Sequence, residues 1–241
     1  MQGVFITGTS TEVGKTFVAA EIARQLKQKN IRVIPRKPVE SGCTRQGKQL
    51  VPQDAAALKQ AADYQGDLAD VCPYRFEPAI SPARAAQLAN QVLTTEQLVQ
   101  ICQPGNDGDF LMVEGAGGFY SPLTENGLNA DLATALQLPV LLVADDKLGT
   151  INQVLLNAEA IQQRGLWLLA VVLNSLSDSR HADMDNLADL RDRLECPVYS
   201  SPWIKDGSAS LPQQLIMSLA ESCSRMPGYF QPVYKRWELP D

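Results

Sequence analysis

Histidine and closely spaced cysteines are scarce in this sequence. His181 is its only histidine, and its five cysteines are spread along the chain without a C-x-x-C pair. This pattern lacks the ligand spacing of zinc sites and the motif of thiol redox enzymes. Catalysis by a Ser-His-Asp or Cys-His group would have to use His181, which we interpret as a solvated residue at a helix start. We therefore expect a cytoplasmic enzyme with reduced cysteines that belongs to none of these classes.

Positive charge and long apolar segments are also lacking. The chain has 21 Lys and Arg against 27 Asp and Glu, a formal net charge of −6, so its surface as a whole does not attract nucleic acid or anionic lipid. It has no run of about 18 apolar residues, which a membrane span would need. The first residues, MQGVFITGTS, lack the basic region of a signal peptide. We expect neither a nucleic acid nor a membrane as a partner.

Short apolar runs alternate with helix-length segments along the 241 residues. The runs cover residues 3–7, 31–34, 110–113, 140–144, 168–173 and, more weakly, 197–199. Several are apolar at every position, which is typical of parallel strands buried on both faces. Amphipathic segments predict helices over residues 15–29, 54–64, 95–102, 130–136, 151–164 and 183–194.

This alternation predicts an α/β fold with a single doubly wound, mainly parallel sheet and helices on both of its faces. We expect this domain to cover residues 1–224. The remaining residues, 225–241, have the sequence RMPGYFQPVYKRWELPD, with three prolines and four aromatic residues. We expect them to form an irregular aromatic C-terminal tail.

A phosphate-binding loop follows the first predicted strand and opens the first predicted helix. Residues 8–16 have the sequence GTSTEVGKT, which differs from the strict G-x-x-x-x-G-K-[ST] motif in having its first glycine one residue early. Backbone N–H groups at such a helix start point at phosphate oxygens, Lys15 reaches the outer phosphates and the Thr16 hydroxyl binds Mg²⁺. The loop predicts a P-loop NTPase-like fold. The alternative interpretation is a tight turn with a solvent-exposed lysine.

Polar residues stand at the ends of the predicted strands. Lys37, Glu114, Asp145 and Asn174 each follow an apolar run, and the carboxyl ends of parallel strands share the sheet edge of the phosphate loop. Taken singly, each has an ordinary explanation as a surface or turn residue, and Asp54 has one as a helix cap. Taken together, they predict a site of lysines and carboxylates that suits Mg²⁺ and phosphate.

These segments together resemble the dethiobiotin synthetase family over nearly the whole chain. Besides the phosphate loop, the matching segments are RKPVESG at 36–42, QD at 53–54, VEGAGG at 113–118, DDKLGTIN at 145–152 and VLN at 172–174. The resemblance implies a single α/β domain that works as a homodimer and uses ATP and Mg²⁺. It also implies the activity, which turns 7,8-diaminononanoate and CO₂ into the cyclic urea dethiobiotin in biotin biosynthesis.

The resemblance implies catalytic and metal-binding roles for particular residues. Lys15 and Lys37 are the implied catalytic residues, which stabilise a carbamate and the transferring phosphoryl group. Thr16, Asp54 and Glu114 are the implied Mg²⁺ ligands.

Substrate and nucleotide contacts are implied in the same way. Ser41 and Lys37 would bind the substrate, and Asn152 would hold its tail at the dimer interface. Asn174 and the segment 202–204 would face the base. The implied ATP contacts are Glu12, Val13, Gly14, Lys15, Thr16, Phe17, Asp54, Glu114, Gly115, Ala116, Gly117, Asn174, Ser175, Pro202, Trp203 and Ile204.

The implied mechanism needs no side-chain nucleophile. A substrate amine takes up CO₂ to form a carbamate, the carbamate oxygen attacks the γ-phosphate, and the second amine closes the ring and expels phosphate. Lysines, loop amides and Mg²⁺ offset the repulsion between these anionic groups.

Three other functions share the phosphate loop and the parallel sheet. A nucleotide-switch ATPase of the chromosome-partition type usually carries an extra lysine early in the loop, where this chain has Thr9, Ser10 and Thr11. An amidotransferase-type cobyrinate synthase needs a glutaminase domain, for which 241 residues leave no room. A catalytically inactive relative is disfavoured because all the implied lysine and metal positions are filled.

Overall fold

The computed structural model describes residues 2–103, 106, 108–176, 183–202 and 211–221. The strands in chain order are β1 Gly3–Gly8, β2 Val33–Arg36, β3 Val39–Ser41, β4 Thr44–Gln46, β5 Gln49–Val51, β6 Tyr74–Phe76, β7 Phe110–Gly118, β8 Val140–Asp145, β9 Leu168–Asn174 and β10 Val198–Ser201. The helices are α1 Lys15–Gln28, α2 Gln53–Ala62, α3 Leu68–Val71, α4 Pro82–Leu88, α5 Thr95–Ile101, α6 Asn129–Leu136, α7 Thr150–Gln163, α8 Asn186–Arg193 and α9 Gln213–Glu221.

The central sheet has six strands in the order β10-β9-β8-β1-β7-β2. Each neighbouring pair in it is parallel, and every residue of β1 and β9 is buried. Burial on both faces explains why these strands are apolar without alternation. The predicted α/β fold with one parallel sheet is confirmed, and its six strands are those predicted from the apolar runs.

Helices cover both faces of this sheet, as predicted. Along β1, Phe5 packs in one apolar cluster, while Val4 and Ile6 pack in the other, because successive side chains of a strand point to opposite faces. The cluster with Phe5 contains the buried apolar side chains of α6 and α7. The cluster with Val4 and Ile6 contains those of α1 and α9 and Leu58 of α2.

The short elements were not predicted. β3 pairs in parallel with β6, and β4 with β5 forms an antiparallel hairpin. β4 is exposed at every residue, so it has no apolar pattern that could have marked it as a strand. Helices α3, α4 and α9 were likewise not predicted, and the helix predicted over 183–194 begins only at Asn186.

Some of the predictions fall on parts of the chain outside the described residues. These are the aromatic tail over 225–241, His181, and the proposed base contacts Trp203 and Ile204. None of the helices in the described ranges combines the length and the hydrophobicity that a membrane span needs.

Candidate active site

The phosphate loop joins the end of β1 to the start of α1. Gly14, just before the helix, has φ +87°, and a Cβ added there would lie 2.0 Å from the Asn174 amide nitrogen. Glycine is therefore required both by the backbone conformation and by the close approach of β9. The N-cap residue, Gly14, has no side chain that could cap the first turn of α1, and the N–H groups of such a turn can bind an anion.

Lys15 is buried at the start of α1 rather than exposed. Only 6% of its surface is accessible, and its Nζ donates a hydrogen bond of 2.9 Å to the Ser10 carbonyl oxygen. Burial lowers the pKa of Lys15 to about 8, although the nearby Glu114 carboxylate opposes the shift. The alternative interpretation of this segment as a turn with a solvent-exposed lysine is therefore wrong.

A lysine, two carboxylates and a hydroxyl meet beside the loop. Lys37 Nζ lies 2.5 Å from Glu114 Oε1 and 2.7 Å from Asp54 Oδ2. The Thr16 hydroxyl donates to the same Glu114 oxygen at 2.8 Å. The structure thus brings together five predicted residues, Lys15, Thr16, Lys37, Asp54 and Glu114, from four separate parts of the chain.

The strand order explains why Lys37 and Glu114 lie side by side. β7 lies between β1 and β2, with Glu114 opposite Ile6 of β1 and Val113 opposite Arg36 of β2. Lys37 directly follows β2, so it ends up beside Glu114 at the carboxyl edge of the sheet. This is the edge at which ligands bind in open α/β sheets.

The charges in this group stabilise one another. Burial alone would lower the pKa of Lys37, but the Glu114 and Asp54 carboxylates outweigh it and raise that pKa above the ordinary lysine value. Burial would raise the pKa of Asp54, but the Lys37 ammonium holds it below its ordinary value. Lys37 therefore stays protonated and Asp54 ionised at neutral pH.

The oxygen atoms of Thr16, Asp54 and Glu114 suit a magnesium ion. Mg²⁺ prefers oxygen ligands and is usually held by one or two carboxylates together with substrate phosphates. Glu114 Oε2 is buried and has no hydrogen-bond partner among the described residues, which leaves an acceptor open for a cation. Those residues contain no cluster of three His, Cys, Asp or Glu able to hold a metal without such phosphates.

Glycines and a buried asparagine shape the segment after Glu114. The side chain of Asn129 accepts a hydrogen bond from Ala116 N at 2.9 Å and donates one to Ala116 O at 2.6 Å. A Cβ at Gly115 would lie 2.6 Å from Asn129 Oδ1, so glycine is needed for this approach. Asn129 therefore fixes the backbone of predicted ATP contacts, and it was not predicted from the sequence.

The other predicted nucleotide contacts lie at the ends of β9 and β10. Asn174 is buried and donates from Nδ2 to the Val13 carbonyl at 3.1 Å, so it contacts the phosphate loop itself. Ser175 is buried, its hydroxyl has no hydrogen-bond partner among the described residues, and Pro202 is exposed. In the loop, Glu12 has φ +58°, Val13 is buried and Phe17 is 37% exposed.

The predicted substrate residues are less closely grouped. Ser41 is half-buried at the end of β3, four residues after Lys37. Asn152 is exposed on α7, and no hydrogen bond in the described part of the chain joins it to the group around Lys37. The structure of one chain therefore does not bring Asn152 to the other predicted site residues.

A family model and several curated relatives match most of this chain. A family model described as an AAA domain matches residues 2–205. An ATP-dependent dethiobiotin synthetase from Ruthia magnifica is 39% identical over 194 residues, which cover 77% of this chain and 89% of the relative. One from Anaeromyxobacter dehalogenans is 40% identical over 209 residues, which cover 86% of this chain and 92% of the relative.

A solved structure with a similar fold is the cell division protein FtsY from Thermotoga maritima. It covers 90% of this chain and 68% of its own, with a TM-score of 0.50 and 16% sequence identity. At this identity the similarity concerns the fold alone.

Proposed function

The chain belongs to the ATP-dependent dethiobiotin synthetase family, and we propose that the residues around Lys37 carry out this family's reaction. The activity is the ATP-dependent formation of dethiobiotin in biotin biosynthesis. The substrates are 7,8-diaminononanoate, CO₂ and ATP.

One observation carries the assignment of the active site. Lys37 is buried in contact with two carboxylates, Asp54 and Glu114, at the sheet edge where the phosphate loop begins. A lysine in this position can neutralise charge on a group that reacts next to the phosphates without itself belonging to the loop. This arrangement fits phosphoryl transfer to an anionic acceptor.

The reaction proceeds in three balanced steps. One amine of the substrate forms an N–C bond to CO₂ and releases a proton, which gives a carbamate. A carbamate oxygen then bonds to the γ-phosphorus while the bond from that phosphorus to ADP breaks. Finally the second amine bonds to the carbamoyl carbon, a proton is released and inorganic phosphate leaves.

The two lysines stabilise the negatively charged groups that these steps bring together. The carbamate and the triphosphate are both anionic, and they must approach within bonding distance in the second step. Lys15, at the first turn of α1, is placed to neutralise the outer phosphates. Lys37 is placed to orient the carbamate, and most of the rate enhancement then comes from positioning and charge.

Thr16, Asp54 and Glu114 would hold Mg²⁺. When bound, this ion would neutralise part of the charge on the phosphates. Lys37 shares Glu114 Oε1 with the Thr16 hydroxyl. Glu114 Oε2, which has no hydrogen-bond partner among the described residues, would be the oxygen that binds the cation.

We assign the nucleotide phosphates to the loop residues Glu12 through Phe17 and to the segment Gly115 through Gly117. Asn174 supports this assignment through its hydrogen bond to the loop. We propose that Ser175 and Pro202, which follow β9 and β10, contact the base. Trp203 and Ile204 are proposed for the same role from the sequence and are outside the described residues.

The proposal includes a homodimer, with Ser41 of one chain and Asn152 of another at one substrate site. Its support is the exposure of two leucines that are close to Asn152 in sequence, Leu148 at 92% and Leu156 at 60%. Contiguous exposed apolar patches mark interaction surfaces, and we propose that these leucines belong to one. We place the enzyme in the cytoplasm because the reaction consumes ATP.

Release of ADP by purified protein tests the function. The assay contains Mg-ATP and bicarbonate, with and without 7,8-diaminononanoate, and the product is identified by mass spectrometry. We expect ADP release that requires the diamine, together with dethiobiotin in equal amount. ADP release that is independent of the diamine and stimulated by DNA or lipid vesicles would instead support a nucleotide-switch ATPase.

A further inference from the structure

Glu40 on β3 is a buried carboxylate that has no part in the mechanism above. It is 5% exposed, and its two oxygens accept hydrogen bonds from two successive backbone amides of α2. Oε1 accepts from Asp54 N at 3.1 Å and Oε2 from Ala55 N at 3.0 Å. Both oxygens of the carboxylate are therefore used at the start of one helix.

Helix α2 depends on this contact because it lacks a cap of its own. Its N-cap residue is Pro52, which makes no side-chain cap hydrogen bond. The first N–H groups of a helix have no partner within the helix, and buried N–H groups without a partner are costly. Ala55 is fully buried, so its N–H depends on Glu40 for an acceptor. A negative charge at a helix N-terminus is also favourable.

The same contact joins two parts of the proposed active site. Glu40 directly precedes Ser41, the proposed substrate residue, and follows Lys37 by three positions. The helix that Glu40 caps carries Asp54, whose carboxylate lies 2.7 Å from Lys37 Nζ. Asp54 therefore receives a hydrogen bond from Lys37 at its side chain and gives one to Glu40 from its backbone.

We propose that Glu40 is a positioning residue that holds the Asp54 carboxylate at the distance from Lys37 and Glu114 that Mg²⁺ binding requires. It acts through the backbone of α2 and touches neither substrate nor metal. This inference rests on the proposed function, since Asp54 is a metal ligand only in that context.

A carboxylate suits this role better than an amide. Two N–H donors need two acceptor oxygens, and a glutamine has one oxygen and one NH₂ group. Glu40→Gln therefore keeps the size of the side chain but places a donor against one of the two amides. Glu40→Ala removes both acceptors.

The test compares these two variants with Thr94→Ala. The Thr94 hydroxyl caps α5 by accepting from Gln97 N at 3.3 Å, so Thr94→Ala removes a helix cap from a helix that contributes no proposed site residue. Three quantities are measured: the melting temperature, the dissociation constant of ADP as a function of Mg²⁺ concentration, and hydrogen exchange at the Asp54 and Ala55 amides.

We expect Glu40→Ala to raise the Mg²⁺ concentration needed for half-maximal tightening of ADP binding about tenfold, the lower end of the effect of removing a group that orients a metal ligand. Glu40→Gln should have a smaller effect in the same direction. Exchange at the Asp54 and Ala55 amides should become faster in both variants. Thr94→Ala should lower the melting temperature without changing the Mg²⁺ dependence.

Two results would overturn the proposal. One is a lower melting temperature in both Glu40 variants with an unchanged Mg²⁺ dependence, which would make Glu40 a stability residue only. The other is unchanged exchange at Asp54. Should Glu40→Ala not fold, Glu40→Gln decides by the same criteria. The measurements use ADP and Mg²⁺ alone, so absence of diamine-dependent turnover in the wild type would count against the proposed function and not against Glu40.

Discussion

The Lys37 ammonium lies 2.5 Å from the Glu114 carboxylate, and these two side chains are 4% and 0% exposed. A buried charge without a partner is costly, so each of the two depends on the other in the absence of ligands. Glu114 is also a proposed Mg²⁺ ligand. The proposed metal would bind the same carboxylate that pairs with Lys37, so the ion pair, the proposed metal site and the stability of the fold are linked through Glu114.

A substitution of Lys37 allows its effects on catalysis, nucleotide affinity and stability to be measured separately. We expect Lys37→Ala to lower kcat strongly while the affinity for ATP changes no more than a few-fold, because Lys37 lies beside the phosphate loop and not within it. Without Mg²⁺ the variant should lose about 3–5 kcal/mol of unfolding free energy, the usual cost of removing one partner of a buried ion pair. Added Mg²⁺ should restore part of this loss.

Steady-state kinetics and urea unfolding with and without Mg²⁺ check this prediction. Lys48→Ala, at an exposed position outside the site, serves as the control and should change neither quantity. A collapse of ATP affinity in Lys37→Ala would show that Lys37 binds the nucleotide, contrary to the role assigned here.

The Glu114→Gln substitution tests the role of Glu114, the partner of Lys37 in the buried ion pair. It removes the charge that attracts Mg²⁺ and keeps an oxygen for the Thr16 hydroxyl, which lies 2.8 Å from Glu114 Oε1. We expect the Mg²⁺ concentration for half-maximal activity to rise about tenfold or more. A titration of activity with Mg²⁺ at saturating ATP measures it. An unchanged titration would remove Glu114 from the metal ligands.

Much of this site could be predicted because its residues follow long apolar strands. Glu114 ends the apolar run of β7, and Lys37 directly follows β2. The rule that parallel strands end at one sheet edge then predicts that they lie together. The phosphate loop could be predicted for a similar reason, since its motif stands between a clear strand and a clear helix.

The remaining contacts depend on packing that a single sequence does not encode locally. Glu40 belongs to β3, a strand of three residues, and its partners become apparent only once β3 lies against the start of α2. Asn129 likewise contacts Ala116 across thirteen positions of sequence, through a turn without a periodic pattern. Helix α4 could have been predicted from the sequence, because Ser81 is a typical N-cap residue and Pro82 is typical of the first helical position.

We expect nucleotide binding to depend on pH through Lys15. Burial lowers its pKa to about 8 in the free protein, and a nearby phosphate raises that pKa because it favours the charged form. Below pH 8 the lysine is protonated in both states, so affinity for ADP should not change through Lys15. Above pH 8 the free protein loses the proton, so binding must take one up and affinity should fall.

Calorimetric titration with ADP between pH 7 and 9.5, in two buffers of different ionisation enthalpy, measures this proton uptake. Lys15→Arg keeps its charge throughout this range and should abolish the uptake. Equal binding enthalpies in the two buffers at pH 9 for the wild type would contradict the predicted titration of Lys15.

The proposed homodimer depends on the apolar surface at Leu148. We expect Leu148→Asp to shift the protein toward the monomer in sedimentation velocity, because a charged side chain would be buried at the contact. Met217→Asp is the control. Met217 is 49% exposed on α9, which packs on the opposite face of the sheet from α7. A wild-type protein that sediments as a monomer at micromolar concentration would contradict the dimer.

A substitution of Asn174 distinguishes two roles for this residue, support of the phosphate loop and contact with the base. Its amide nitrogen donates to the Val13 carbonyl at 3.1 Å and lies against Gly14, which indicates that it supports the phosphate loop. The resemblance to the family instead implies a contact with the base. If Asn174 acts through the loop, Asn174→Ala should weaken the binding of ADP and of inorganic tripolyphosphate by the same factor.

We expect this common factor to be about tenfold or less, because a neutral hydrogen bond contributes about 0.5–1.5 kcal/mol. Competition against a fluorescent ATP analogue measures both dissociation constants in one assay. Ser175→Ala is the matched control, since its hydroxyl has no partner in the described part of the chain and its loss should leave tripolyphosphate binding unchanged. Weaker binding of ADP alone in Asn174→Ala would assign Asn174 to the base, because tripolyphosphate has no base to lose.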